Sequence, residues 1–404
     1  MRLLLGIVFG ILISASVSAQ ETGCIEGDCE NGYGIYKTSG LYMYYGSFLN
    51  GKKHFWGCQD YQDTKQIYCG NYSQGDKHLF GTYYFYDGDN DFFMGLYDRN
   101  KQLRTGFYID ASASKNGAIS MRREEVKINP IYSLTKDGEG CVAGNCENGN
   151  GVFINSYGNI YSGGFFDGKW NGWGCYQILD DNKENINWVD CGMYVDGKSK
   201  FTKYYYRTDK DGFVANSEGV KNTTNFYAGL FDGKLKTGFH TADISDKEKR
   251  DFLQFKFGNG SFGNAEKSGS SFEKDRKCLF GNCKDFRTGF SILSNYNDGD
   301  WLGFEFTGYQ KNQRMYGYGC QYLPKHPKLE AEINIATSEY LYCGNYIGDV
   351  PMYFGTSYYG GSSVVDEKFY FGLHNSFSWI PHGVYAYKNG NDGWMVETAN
   401  YNEE

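Results

Sequence analysis

The side chains best suited to move a proton near neutral pH are six histidines: His54, His78, His240, His326, His374 and His382. No two of them stand four apart around a glutamate, so the spacing of a helical zinc hydrolase is absent. There is no Gly-x-Ser-x-Gly elbow for a nucleophilic serine, and no glycine-rich phosphate loop closed by Lys-Ser/Thr. Three acidic clusters carry oxygen ligands of the kind Ca²⁺ prefers: Asp87-Gly88-Asp89-Asn90-Asp91, Asp209-Lys210-Asp211-Gly212 and Asn297-Asp298-Gly299-Asp300. None ends in the glutamate that completes a calcium loop, and Asp, Asn and Gly in such runs also simply make turns. Glycoside hydrolysis would need two carboxylates converging on one cavity, and nothing singles out two of the 48 acidic residues. The sequence thus nominates no catalytic residue, no metal ligand and no cofactor.

Cysteine is the other reactive type, and its pattern is informative. Twelve cysteines fall into three sets of four: Cys24, Cys29, Cys58 and Cys69; Cys141, Cys146, Cys175 and Cys191; Cys278, Cys283, Cys320 and Cys343. Four thiolates can close a structural zinc site, but such sites use shorter loops within each pair, and exported thiols oxidise. Export is expected. Arg2, the apolar run Leu3 to Ile13 and the small residues Val17-Ser18-Ala19 read as a signal peptide over residues 1–19. That run is too short to span a bilayer, and no later segment is apolar enough, so no integral membrane segment is expected after its removal. The destination is secreted, periplasmic or extracellular. A net charge of −8, with no run of five basic residues, argues against nucleic acid or an anionic membrane as partner.

The elements that must position these groups are internal repeats. Each set of four opens alike: Gly23-Cys24-Ile25-Glu26-Gly27-Asp28-Cys29, Gly140-Cys141-Val142-Ala143-Gly144-Asn145-Cys146 and Cys278-Leu279-Phe280-Gly281-Asn282-Cys283. Three modules follow, over 20–137, 138–276 and 277–404. Within them an aromatic-x-Gly-x-aromatic unit recurs at Tyr44–Phe48, Tyr68–Tyr72 and Phe93–Tyr97, at Tyr161–Phe165 and Tyr227–Phe231, and at Tyr342–Tyr346. Variants that lose one ring stand at Asp190–Tyr194, Trp301–Glu305 and Tyr370–His374, where His374 reads as a rim position. Aromatics four apart on a strand share a face and can pack inward, and the glycine between them is expected on the opposite face, permitting bending.

Asn50-Gly51, Asp167-Gly168, Asp196-Gly197 and Asp232-Gly233, each followed by lysine, predict two-residue hairpin turns with positive φ at both centres. Returning strands follow at Phe55-Trp56-Gly57-Cys58, Gly172-Trp173-Gly174-Cys175 and Gly317-Tyr318-Gly319-Cys320. Cys58, Cys175 and Cys320 each end such a strand, and Cys69, Cys191 and Cys343 each begin the next unit. Disulfides are therefore expected within those pairs, pinning loops of variable length, and by default within Cys24–Cys29, Cys141–Cys146 and Cys278–Cys283. The fold expected is all-β: an elongated array of stacked antiparallel hairpins in three similar modules, since a lone hairpin is marginal in water.

These units resemble the MORN repeat. The fullest match is Tyr161-Ser162-Gly163-Gly164-Phe165-Phe166-Asp167-Gly168-Lys169-Trp170-Asn171-Gly172-Trp173-Gly174, with looser ones at Asn50 to Gly57 and Asp232 to Gly238. The resemblance implies an elongated, twisted single-layer sheet and a role as scaffold or contact surface. The chain departs from the family in its wider unit spacing, 24 residues from Gly46 to Gly70 and 41 from Gly303 to Gly344, and in its cysteines.

Aromatic residues make up 18% of the chain, more than the repeat positions consume. Runs such as Tyr83-Tyr84-Phe85-Tyr86, Tyr204-Tyr205-Tyr206 and Tyr358-Tyr359 must place some rings outward by strand alternation. Tyr84, Tyr86, Tyr205 and Tyr358 are the candidate interaction residues. The function expected is an exported, non-enzymatic scaffold or protein-interaction surface. The alternative is a carbohydrate or cell-wall binding module using those rings; the partner is thus a protein or a glycan. Asn71-Tyr72-Ser73, Asn222-Thr223-Thr224 and Asn259-Gly260-Ser261 fit the N-glycosylation pattern.

Overall fold

The computed structural model describes residues 22–38, 42–85, 91–110, 118–123, 127–207, 225–232, 235–240, 254–255, 277–281, 291–294, 305–311, 314–323, 340–347, 350–359, 368–375, 378–388 and 394–399. The described residues are all-β apart from one helical turn, Leu134–Asp137. Three nine-stranded sheets account for the described strands, and each is a simple antiparallel meander in chain order. Sheet 1 comprises β1 (Gly23–Gly27), β2 (Tyr33–Thr38), β3 (Tyr42–Leu49), β4 (Lys52–Tyr61), β5 (Gln66–Ser73), β6 (Asp76–Phe85), β7 (Phe92–Asp98), β8 (Lys101–Asp110) and β9 (Ala118–Arg123). Sheet 2 runs from Gly140–Gly144 to Gln254–Phe255, and sheet 3 from Lys277–Gly281 to Trp394–Ala399.

The turns explain why hairpins form where they do. Asn50 and Gly51 sit at φ 50° and 70°, Asp167 and Gly168 at 48° and 69°, Asp196 and Gly197 at 51° and 77°. Both centres of each turn are left-handed, as the sequence predicted. Asp232-Gly233 lies partly outside the described residues. Two further turns of this kind, Gln74-Gly75 and Arg99-Asn100, carry no strong sequence signal. Six of the described returning strands bulge against their partners with one residue left-handed: Phe55, Leu79, Phe201 and Tyr353, or Gly172 and Gly317, where the glycine removes the strain.

The position of the repeat glycine corrects the sequence reading. It shares the face of the aromatic two residues before it, as period-two counting requires. In sheet 1, Gly34, Gly46, Gly57, Gly70, Gly81, Gly95 and Gly106 are paired strand to strand in one continuous row. Tyr44 lies flat across Gly46 and Gly57, so closely that a Cβ on Gly57 would stand 2.3 Å from its hydroxyl. Tyr68 covers Gly70 and Gly81, Tyr161 covers Gly163 and Gly174, and Tyr342 covers Gly344 and Gly355 in the same way. Each hydroxyl donates to a carbonyl three residues on: Tyr44 to Ser47, Tyr68 to Asn71, Tyr161 to Gly164 and Tyr342 to Asn345, at 3.0–3.3 Å. Glycine is required here for close approach.

The opposite faces meet. Trp56, Trp173 and Tyr318, one from each sheet at matching repeat positions, form a ring of rings with centroids 4.3–4.8 Å apart. Around them lies one core shared by all three sheets, including Phe80, Tyr84, Tyr204, Leu341 and Phe354. Polar bonds tie the centre in a cycle. Trp56 donates to Asn345 of sheet 3, and Asn345 donates to Cys58 Sγ of sheet 1. Trp173 donates to Asn71 of sheet 1, and Asn71 reaches back to Cys191 Sγ of sheet 2. The third step differs. Met193 stands where the others have asparagine and offers an indole only a weak thioether acceptor, and sheet 3 has tyrosine at the indole position: the Tyr318 hydroxyl lies 3.4 Å from Thr202 of sheet 2. Elongated single-layer geometry, which the family resemblance implies, therefore holds within each sheet, while the three sheets fold together about one centre.

Five disulfides join Cys24–Cys29, Cys58–Cys69, Cys141–Cys146, Cys175–Cys191 and Cys320–Cys343, as expected. The pairing of Cys278 with Cys283 lies outside the described residues. The three long-loop bridges join directly opposed residues of neighbouring strands, with Cα atoms 4.0–4.1 Å apart, on the faces that meet in the shared core. Among the described residues, no helix is long and apolar enough to cross a membrane.

Candidate functional site

With one face of each sheet consumed by the shared core, the outward faces are what the molecule offers. On sheet 1 the glycine row sets the lowest layer. Tyr44, Tyr68 and Phe93 lie over it, and Phe48, Tyr72 and Tyr97 stand beside them, making a buried aromatic ladder. Tyr44–Tyr72 and Tyr68–Tyr97 meet edge to face at 5.2 and 5.0 Å, a favoured geometry for ring quadrupoles. Above this ladder are half-buried rings: Tyr36, Tyr42, Tyr61, Tyr83, Phe85 and Tyr108. Tyr61 stacks with Tyr83, the Tyr83 hydroxyl donates to Gln66, and the Tyr108 hydroxyl donates to Asp91.

Two lysines lie on this face. Lys53 Nζ sits 5.3 Å above Tyr44 and 5.6 Å above Tyr72, and donates to Gln59 Oε1 at 2.6 Å. Lys77 Nζ lies 4.5–5.1 Å from the rings of Tyr61, Tyr68 and Tyr83. Burial lowers Lys53 to about 8, and burial with the neighbouring Lys53 charge lowers Lys77 to about 8. Among the described residues neither forms an ion pair, so ring faces and one amide replace the carboxylates that usually hold such groups.

On sheet 2 the residue aligned with Lys53 is Trp170, each opposing the second aromatic of its unit, Phe48 or Phe165. Trp170 lies parallel on Tyr161, with centroids 4.2 Å apart, and Tyr194 and Tyr176 pack at 5.6 and 5.1 Å. It opens onto a shallow depression of about 660 Å³, shared with Phe153, Phe165, Glu147, Gly168 and the Cys141–Cys146 loop.

The next residue along completes a clasp that sequence reasoning missed. Gln74 N–H donates to His54 Nδ1 at 3.1 Å, and Asp196 N–H donates to Asn171 Oδ1 at 2.8 Å. The second turn residue adds a backbone bond: Gly75 N–H to Lys53 O and Gly197 N–H to Trp170 O. Asn31 and Asn148 hold the turns at Asn50 and Asp167 likewise. Each hairpin tip is thus docked on the one before it. His54 must be neutral to accept, and burial, with the nearby His78, lowers it to about 3. His78 Nδ1 lies 3.3 Å from Asp98 Oδ1 without hydrogen-bond alignment, and Tyr132 of the segment between sheets 1 and 2 packs on His54. The signal was present: an Asn or His stands three residues before Gly34, Gly57, Gly81, Gly151 and Gly174.

The residues nominated from sequence separate. Tyr84 is 1% exposed and belongs to the shared core, which corrects its assignment to an outer surface. Tyr205 is half-buried and opposes Asp190 across the strand pair; burial first, then the Asp190 charge, push its hydroxyl up to about 12. Tyr86 and the Tyr358 side chain lie outside the described residues. Asn71 is buried beneath Trp173, so its glycosylation pattern is inaccessible in the folded chain. Asn222, Asn259 and most residues of the three acidic clusters lie outside the described residues. Lys53, Lys77, Trp170 and Glu147 had not been singled out. No family model matches the chain, and no curated protein matches it.

Proposed function

We propose that the protein is an exported, non-enzymatic binding protein whose outward sheet faces, that of sheet 1 foremost, contact a partner macromolecule. One observation carries this reading: the inner faces are spent on holding three sheets together, while sheet 1 keeps half-buried rings and two ring-seated lysines on its outer face. Half-buried tyrosines suit recognition because each combines apolar area with a hydroxyl and loses little side-chain freedom. The MORN-like reading is supported by the tyrosine laid across paired glycines, and export by the disulfides, which persist in oxidising compartments. A photoreactive benzoylphenylalanine placed at Tyr61 or Tyr83 tests the reading in the exporting compartment. A discrete adduct is expected from both sites and not from Tyr157, which is 75% exposed on sheet 2. Identical labelling from all three, or none from Tyr61 and Tyr83, refutes it.

A further inference from the structure

We propose that the depression beside Trp170 on sheet 2 is a binding site for an organic cation, an alkylammonium or guanidinium group. It does not rest on the macromolecular reading above, since it uses another sheet and other residues. Trp170 stacks one ring face on Tyr161 and also lines the depression. Phe153 and Phe165 supply further ring surface. Indole faces attract cations most strongly among the aromatic side chains.

Glu147 stands at the rim with its backbone fixed on both sides. Its N–H donates to Asn145 Oδ1, and its carbonyl accepts from Gly168 N–H. Its carboxylate lies over the turn glycine, 3.3 Å from where a Gly168 Cβ would be. The adjacent lysine, Lys169, is engaged elsewhere, 2.6 Å from Asp196. No described cation therefore neutralises Glu147, in a chain whose net charge is already −8.

Sheet 1 supplies the internal comparison. It repeats the frame, with Cys24–Cys29, Glu30 over Gly51, and Phe48, but places Lys53 where sheet 2 has Trp170. There the ammonium over the rings belongs to the chain itself. Sheet 2 keeps the rings and the carboxylate and lacks that ammonium.

The test is a titration of the disulfide-intact protein, followed at the Trp170 indole N–H by NMR. Choline is compared with its neutral isostere 3,3-dimethyl-1-butanol and with acetyl-arginine amide. Saturation by choline at millimolar concentration is expected, with the neutral isostere at least about tenfold weaker, the ratio that a desolvated cation–π contact provides. A preference for acetyl-arginine amide would assign the site to a partner's side chain, and a preference for choline to a free quaternary ammonium. Trp170→Lys, which gives sheet 2 the residue that sheet 1 already carries, abolishes saturation, followed at the amides of Glu147 and Gly168. Glu147→Gln weakens choline binding about threefold to tenfold. Should Trp170→Lys fail to fold, Lys53→Trp must raise the choline stoichiometry from one to two. Equal binding of the neutral isostere, or binding unchanged in Trp170→Lys, overturns the proposal.

Discussion

Sheets 1 and 2 are built on one plan and differ at two consecutive positions with large physical consequences. Where sheet 1 has Lys53-His54, sheet 2 has Trp170-Asn171. The first member of each pair lies over the repeat tyrosine, as an ammonium or as an indole. The second accepts from the next hairpin tip, as an imidazole or as an amide. Geometry is preserved while titration is not. The lesson is that this frame specifies shape and hydrogen-bond role, and leaves charge to the individual repeat.

What the two sheets share should be the costliest to disturb. Gly57→Ala and Gly174→Ala each push a methyl into a tyrosine ring lying flat on the backbone, with Cβ 2.3 Å from the hydroxyl. Each is expected to destabilise by about 3 kcal/mol, the upper range for overpacking, read from urea midpoints of the disulfide-intact protein. A large effect in one sheet and none in the other would break the claim of a common plan.

The next effect separates the sheets at acid pH. His54 is held at about 3 when folded, against 6.5 in its absence, so the native state keeps it neutral. Its contribution is complete above about 6.5 and falls as pH drops, by about 2 kcal/mol at pH 5. Amide-exchange protection at Gln74 should fall over that range while protection at Asp196, held by Asn171, does not. His54→Asn should make Gln74 behave like Asp196; persistence of the acid sensitivity would remove His54 as its source.

At alkaline pH the sign reverses. Lys53 titrates near 8 in the fold and at 10.5 otherwise, so the unfolded chain holds the extra proton between those values. The Lys53 contribution, read as the difference in urea midpoint between the parent and Lys53→Met, should rise from pH 8 toward 9.5 by up to about 1 kcal/mol after solvent screening. Unfolded tyrosines, ionising near 10, lower the stability of both proteins over the same range and cancel in that difference. Smallest is the exchange of the ring-covering residue itself. Trp170→Lys should cost about 1 kcal/mol through the lost parallel stack, and a loss several times larger would mean that the indole supports more than Tyr161.

How much of this was legible in sequence follows contact range. The turns at Asn50-Gly51 and Asp167-Gly168 and the Cys58–Cys69 bridge depend on neighbours a few residues away, and their signals are local. The meeting of sheets is not local. Trp56 and Asn345 are 289 residues apart, and nothing in either repeat announces the other. Tyr84 was misplaced for the same reason: strand alternation gives two faces, but only the distant sheets decide which is inside. The face of the glycine row is local information: by the two-residue period of a strand Gly46 shares the side of Tyr44, which lies across it. The ring-lined candidate site was half legible, since its tyrosines follow the repeat. Lys53 and Trp170 occupy one repeat position with different residues, so no recurrence marks them.

The cycle at the centre has a consequence for how such a chain can change. A duplicated segment is ordinarily free to drift once copied, but these three are answerable to one another. An indole in place of Tyr318 would meet the weak thioether acceptor of Met193 where the other two copies offer an amide, so those two positions favour being inherited together although they lie in different copies. Excising a copy, or exchanging the second for the third, would set the odd partner against the wrong neighbour. The order of the copies along the gene is thereby recorded in the middle of the folded molecule.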